Sequence, residues 1–504
     1  MLAAFRGCPV ASLSLDGTQG ANALLSELGP RKVSLTSLSL AHDDMITLEG
    51  IEALVGLRAL VSLDVTGCKA TNGWLKVLAK LPALETLILR SCTKVADLGI
   101  LSLSRGAPSL VHLDLAGCIG VTDAGVAHLS SLVIGGAGGG GRGRLESLRL
   151  DGLPDLSDDG LDALCSTPLV LSAAASSLSA APLPSRAAAG AAAAARAEAA
   201  AAAGARAGRG AAVGTTSSAV GATTSSGFPG PTPAPALPPP PPPPPSSCVR
   251  MLSVAGCVRV TDEGLASVVE SPLGASLTEL DISGTSATEK ILVQIAASLG
   301  GNPGRGGRRE GGKGMGLRLL SLPEKGRGVS GLGLTALTAM SGLTRLDLEG
   351  CQGVGVTSTA LSGISRLVNL QFLSLANVPA FDDAALSSVC SSCHSLRTLN
   401  LNGTSVSRAS GLAHLGSALA DLSLAHTNVD DDTMDALASL PGLTTLTLRG
   451  TRVTGSGVAR LSCLAKLRSL VLTGTRAAQE GNGTSAGSAV EGLRRGTAAL
   501  NIRM

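Results

Sequence analysis

A nine-residue pattern, L-x-x-L-x-L-x-x-(Cys or Thr), recurs along this 504-residue chain and limits what it can fold into. It reads "LVSLDVTGC" at 60–68, "LETLILRSC" at 84–92, "LVHLDLAGC" at 110–118, "LTELDISGT" at 277–285 and "LTRLDLEGC" at 343–351. It continues as "LRTLNLNGT" at 396–404, "LADLSLAHT" at 419–427, "LTTLTLRGT" at 443–451 and "LRSLVLTGT" at 467–475. Looser copies begin at Val10, Leu35, Leu145, Val249, Leu317 and Leu370, which makes fifteen. "TAALNI" at 497–502 reads as a broken sixteenth. Three long intervals aside, the copies stand mostly 23 to 28 residues apart.

The x-L-x-L alternation has period two and predicts a short strand with its leucines on one side. The segment that follows often reads like "VTDAGVAHL" (121–129) or "VTDEGLASV" (260–268), an apolar helical spacing with Asp123 or Asp262 suited to the N-cap. Each unit is then strand, turn, helix. One unit alone cannot bury its leucines against the entropy of ordering its backbone, so stability must come from stacking. The ninth position calls for a small donor that satisfies a backbone carbonyl of a neighbouring unit. Cys68, Cys92, Cys118, Cys257 and Cys351 occupy it, as do Thr18, Thr285, Thr404, Thr427, Thr451 and Thr475.

These repeats resemble those of leucine-rich repeat proteins of the cysteine-containing class, the repeat region of F-box/LRR proteins. The resemblance covers 10–475 apart from the insertions. It implies an α/β solenoid, a horseshoe with a parallel sheet on the concave face and helices on the convex face. It also implies a role in recruiting substrates to an SCF-type ubiquitin ligase, with Skp1 and cullin-type subunits as partners. Nine residues precede the first repeat, too few for an F-box, and the sequence departs from the family pattern there.

Three insertions fall after a helix and before the next strand, so all should leave the same edge. They are "GGAGGGGRGR" (135–144), an Ala/Pro-rich tract (169–247) and "GGNPGRGGRREGGKGMG" (300–316). Their composition predicts disorder. The expected organisation is repeats 1–6 over 10–168, the insertion 169–247, repeats 7–15 over 248–475 and a degenerate segment 476–504. Together the insertions carry a net +8 in a chain of +3, which leaves −5 on the repeats. Pro238, Pro239, Pro240, Pro241, Pro242, Pro243, Pro244 and Pro245 form a run suited to a polyproline II ligand.

Composition argues against a small-molecule site, because pockets rely on aromatic side chains and this chain has one Trp, four Phe and no Tyr. No apolar run is long enough to span a membrane, and the start lacks an apolar signal region. Eleven cysteines at irregular spacing fit no disulfide framework and read as reduced thiols of a cytoplasmic chain, with a nuclear or axonemal placement as alternatives.

Several strings imitate cofactor motifs. Cys390-Ser-Ser-Cys393-His394 spells C-x-x-C-H, a haem attachment string. In register with the repeat, however, both thiols become buried fillers and His394 a loop residue. Gly326-Arg-Gly328-Val-Ser-Gly331 matches G-x-G-x-x-G but occupies a repeat's turn and helix start. Gly307-x4-Gly312-Lys313 lacks the hydroxyl residue of a P-loop. Asp430, Asp431 and Asp432 are read as helix caps. Trp74 is read as packing on the helical side. No cofactor, metal site or catalytic group is expected.

Binding is expected on the concave strands, where the third, fifth and seventh residues of each repeat point outward. The candidate contacts there are Arg90, His112, Arg149, Arg345, Phe372 and Arg449. The expected function is a non-enzymatic protein-binding scaffold. Its alternatives are a cytoskeletal or axonemal scaffold and RNA contact through the Gly/Arg-rich insertions.

Overall fold

The computed structural model describes residues 11–18, 20–28, 35–107, 109–134, 144–166, 247–299, 316–322, 329–479 and 500–503. The described residues belong to one contact unit, 1–168 with 245–504. The insertions, save their end residues Arg144, Ser247 and Gly316, lie outside the described residues. So do the proline run, Gly326, Gly328, Gly307, Gly312 and Lys313.

Each repeat contributes one three-residue strand, its third to fifth positions. The first eight are Ser12–Ser14 (β1), Ser37–Ser39 (β2), Ser62–Asp64 (β3), Thr86–Ile88 (β4), His112–Asp114 (β5), Ser147–Arg149 (β6), Met251–Ser253 (β7) and Glu279–Asp281 (β8). The rest are Leu319–Ser321 (β9), Arg345–Asp347 (β10), Phe372–Ser374 (β11), Thr398–Asn400 (β12), Asp421–Ser423 (β13), Thr445–Thr447 (β14), Ser469–Val471 (β15) and Asn501–Arg503 (β16). They form one open parallel sheet of 16 strands in chain order. The broken sixteenth copy is therefore a strand, with Ile502 opposite Leu470. β6 and β7 pair in register across the longest insertion, Leu148 opposite Leu252. This is a leucine-rich repeat solenoid, with helices and short 3-10 turns between successive strands.

The leucines at the first, fourth and sixth positions make the core. Leu60, Leu63, Val65, Leu84, Leu87 and Leu89 are fully buried, and the same holds repeat after repeat. Backbone groups at the strand ends are satisfied by the neighbouring repeat: Leu40 N–H donates to Asp64 C=O at 2.8 Å, and Val65 N–H to Ile88 C=O at 2.9 Å. Trp74 lies within the helix Asn72–Leu78 and is buried, as expected.

The helix starts differ from the sequence expectation. Thr122 and Thr261, not Asp123 and Asp262, are the N-caps of Asp123–His128 and Asp262–Glu270. The aspartate is the first helical residue, and its carboxylate serves the next repeat. Asp97 accepts from Thr122 N–H at 2.9 Å and Oγ1–H at 2.8 Å; Asp158 accepts from Thr261 N–H at 2.8 Å and Oγ1–H at 2.7 Å. Asp431 does the same for Thr454, at 2.8 and 2.5 Å, rather than capping its own helix; the N-cap there, Asp432, makes no side-chain cap bond. A carboxylate already sits in the first turn's favourable field, and its two oxygens reach one repeat further than its own backbone needs. A glycine of the next repeat's helix keeps this space open: a Cβ on Gly264 would lie 2.5 Å from Asp158 Oδ1.

The ninth position also divides. Cys68, Cys92, Cys118 and Cys257 donate to the sixth-position carbonyls of the preceding repeat, Leu40, Val65, Leu89 and Leu150, at 3.0 to 3.2 Å. Cys351 reaches Val329 C=O, also in the preceding repeat, at 3.4 Å. The threonines do not bridge. Thr285, Thr404, Thr427, Thr451 and Thr475 donate to the carbonyl three residues earlier, at 2.6 to 2.7 Å. The expectation of a neighbour-bridging donor thus holds for cysteine and fails for threonine, whose branched Cβ holds the hydroxyl over its own strand end.

Candidate functional site

Because the fourth-position leucine turns inward, the third and fifth residues of all sixteen strands turn outward and form one continuous face. Much of its charge is already engaged. Asp64 Oδ1 accepts from Thr66 N–H at 2.9 Å, Asp281 Oδ1 from Ser283 N–H at 3.0 Å and Asp347 Oδ1 from Glu349 N–H at 3.1 Å. These fifth-position aspartates close their own turns. At the seventh position, Asp151 accepts from Ser253 Oγ–H and from Ala255 N–H in the next repeat. Burial raises its carboxyl above the usual range against those two bonds. Asn402 repeats the arrangement with Ser423 Oγ–H at 2.6 Å and Ala425 N–H at 2.8 Å. The structure uses these side chains as turn and repeat brackets.

The six candidate contacts separate. Arg90 is paired: its Nε lies 2.6 Å from Asp114 Oδ2, and that carboxylate holds the guanidinium charged. Arg149 stands in register between Asp114 and Ser253. His112 and Arg449 are exposed on β5 and just beyond β14. Arg345 and Phe372 are neighbours in register, with the guanidinium carbon 3.8 Å from the ring centroid. That is cation–π stacking.

The third-position column shows what the sequence reading missed. It is Ser, Ser, Ser, Thr, His, Ser over β1–β6 and Thr, Asp, Thr, Ser, Asn over β12–β16. Between them, over β7–β11, stand Met251, Glu279, Leu319, Arg345 and Phe372, five large side chains on consecutive strands. Met251, Glu279 and Leu319 were legible as departures from the Ser/Thr habit of that column. They escaped notice because a methionine or leucine in a leucine-rich sequence looks like core. All are partly exposed, and Arg345 is exposed.

Clefts among the described residues also lie off this face. One of about 400 Å³ follows the helix-to-strand edge, lined by Arg318, Thr344, Asn369, Gln371 and Ser395. Another of about 320 Å³ lies among Asp430, Asp432, Arg452 and Arg476 at the opposite edge. Cys390 and Cys393 are buried, with burial pushing their thiols up to about 12 and about 11, and Cys393 Sγ is 3.4 Å from Leu367 C=O. His394 is exposed. The C-x-x-C-H string is thus helix end and loop. Among the described residues, no group of three His, Cys, Asp or Glu is placed to hold a metal ion. None of the described helices is long and apolar enough to cross a membrane.

No family model matches the chain. A stretch of 84 residues, 16% of the chain, is 39% identical to "Putative RNA-binding protein EEED8.10" of Caenorhabditis elegans, of whose length the match spans 11%. Among solved structures, the chain is similar to the LRR protein LIC12759 of Leptospira interrogans, at 15% identity and TM-score 0.48, over 100% of this chain and 98% of that one. It is similar to an internalin, InlF, of Listeria monocytogenes, at 16% identity and TM-score 0.46, over 90% and 93%. It is also similar to a chain of the yeast Rad7 and Elc1 complex, at 16% identity and TM-score 0.43, over 86% and 89%.

Proposed function

We propose that this chain is a non-enzymatic scaffold that holds a protein partner on its strand face. The observation that carries this reading is the Arg345–Phe372 stack, an aromatic and an arginine set together on an open sheet. Those are the residue types that dominate binding energy at protein interfaces. Stacking fixes both side chains before a partner arrives, which lowers the entropy cost of binding. The finer reading is substrate recognition in an SCF-type ubiquitin ligase pathway, and its support is the resemblance of the cysteine-bearing repeats.

The test is affinity purification of the full chain, beside a chain carrying Arg345→Glu and Phe372→Ala. Recovery of Skp1 and a cullin, with a further partner lost from the double variant, supports the finer reading. Tubulin or axonemal proteins in their place support a cytoskeletal scaffold. Partners that the double variant retains in full remove the Arg345–Phe372 stack as the docking point, and partners that Ser62→Arg with Ser147→Arg also leaves in place overturn the strand face as the docking surface.

A second reading is RNA contact. It is favoured by the name of the C. elegans relative and by Arg305-Gly-Gly in the third insertion. Binding of single-stranded RNA that weakens steeply with salt would support it; no retardation at low salt would remove it.

A further inference from the structure

We infer that the docking centre is the third-position strip of β7–β11, and that its occupant is an amphipathic helix of the partner laid across the strands. This helix places apolar residues on Met251, Leu319 and Phe372, a cation against Glu279 and a carboxylate against Arg345. The inference rests on the reading that the strand face binds protein.

Step length identifies the occupant. Neighbouring strands stand about 4.8 Å apart, so the four steps from β7 to β11 cover about 19 Å. A helix presents one residue per turn of 5.4 Å to a surface, and four turns cover about 22 Å. An extended peptide presents every second residue, about 6.6 Å apart, and four such steps cover about 26 Å. Only the helix keeps one side chain over each strand along the strip. Charge then sets its direction. Glu279 and Arg345 flank Leu319 in register, and neither forms an ion pair among the described residues. A helix with lysine at both places meets one like-charge contact whichever way it runs. The fifth-position neighbours Ser253, Ser321 and Ser374 are short, which leaves the strip standing above its surroundings. Outside β7–β11 the same column is small or polar and offers no such relief.

The probe is a helical peptide of about sixteen residues with three leucines a heptad apart. A lysine stands between the first and second leucine and a glutamate between the second and third. Its counterpart has lysine at both places. The full chain should bind the first peptide at least about tenfold more tightly than the second, the size of one close charge contact. Phe372→Ala should weaken binding about tenfold or more. Arg345→Glu, which makes both flanking positions acidic, should reverse the preference, an outcome that misfolding cannot produce. Equal binding of both peptides, or a preference that Arg345→Glu leaves in place, overturns the inference.

The natural partner separates this inference from the reading beneath it. A partner released by Ser62→Arg with Ser147→Arg, yet indifferent to Phe372→Ala and to Arg345→Glu, docks on the N-terminal strands. Then the strip falls and the scaffold stands. A partner indifferent to all of them removes the strand face itself.

Discussion

Two regions of the solenoid use one position of the repeat in opposite ways. In repeats 3, 4, 5 and 7 a buried cysteine reaches back 27 residues or more to a carbonyl of the repeat before it, as Cys118 does to Leu89 at 3.0 Å. In repeats 12 to 15 a threonine closes on its own strand end, as Thr427 does on Leu424 at 2.6 Å. Thr285 and Cys351 fall between these regions and still follow their residue type. Chemistry therefore decides the bond, and place along the chain does not. Stability in a stacked array is the sum of terms within each repeat and terms between neighbours. Cysteine strengthens the interface with a weak, long bond; threonine strengthens the single repeat with a shorter one. The difference teaches that interchangeable letters in a repeat pattern need not be interchangeable in energetics.

Alkaline pH should separate the regions most. Burial pushes the thiols of Cys68, Cys257 and Cys351 up to about 11, and those of Cys92 and Cys118 up to about 12, from a usual value of 9.0. An acid whose folded pKa is raised stays protonated in the fold while the unfolded chain ionises. Its stabilisation is complete below pH 9.0 and is lost as pH climbs toward 11 or 12. Inside that window each thiol costs about 1.4 kcal/mol per pH unit. Threonine does not titrate. Chemical denaturation followed at rising pH should show a steep loss of stability, and replacing Cys92 and Cys118 with alanine should reduce its slope. An unchanged slope would show that other groups carry the alkaline transition.

The carboxylate bracket is shared by both regions and should break equally. Asp97→Ala and Asp431→Ala each remove charge-assisted bonds to the next repeat's threonine. Each should cost about 2–3 kcal/mol in urea unfolding. A markedly smaller loss at Asp431 would mean that the threonine repeats rely less on their neighbours at this bracket too. Acid adds a sign. Hydrogen bonds from Thr454 and Ser456 outweigh the opposing effect of burial and lower the Asp431 carboxyl below its usual 3.8. Its contribution is therefore whole above pH 3.8 and lost as pH falls further.

The smallest effects test the ninth position itself. Thr427→Val keeps the shape and removes one buried hydroxyl bond, for about 1 kcal/mol. Cys118→Ala loses a weak thiol bond and a little packing, for a similar cost. The two should differ in kind. The cysteine change should broaden the unfolding transition by loosening two repeats from each other, while the threonine change should shift its midpoint with the slope kept. Identical behaviour would erase the distinction between bridging and local donors.

Most of the fold was legible because its signal is repeated. One leucine pair means little, but fifteen copies in register determine strand, face and stacking order together. The binding strip was only partly legible. Arg345 and Phe372 stand out by residue type in a chain almost without aromatics. Met251 and Leu319 hide among apolar residues, and their exposure depends on which face of a three-residue strand they occupy. The candidate Arg90 lost its standing for the reverse reason, since Asp114, 24 residues away, takes its charge.

By itself, then, the sequence determined the repeating unit, its buried leucines and the order of the sheet, because period-two alternation and a lone unit's inability to bury its core allow little else. Tertiary structure decided which donor serves which repeat. Thr122 caps a helix while Asp123 serves the next repeat, and Cys118 bridges where Thr427 does not. Those choices turn on side-chain reach across a gap that exists only after two repeats have stacked.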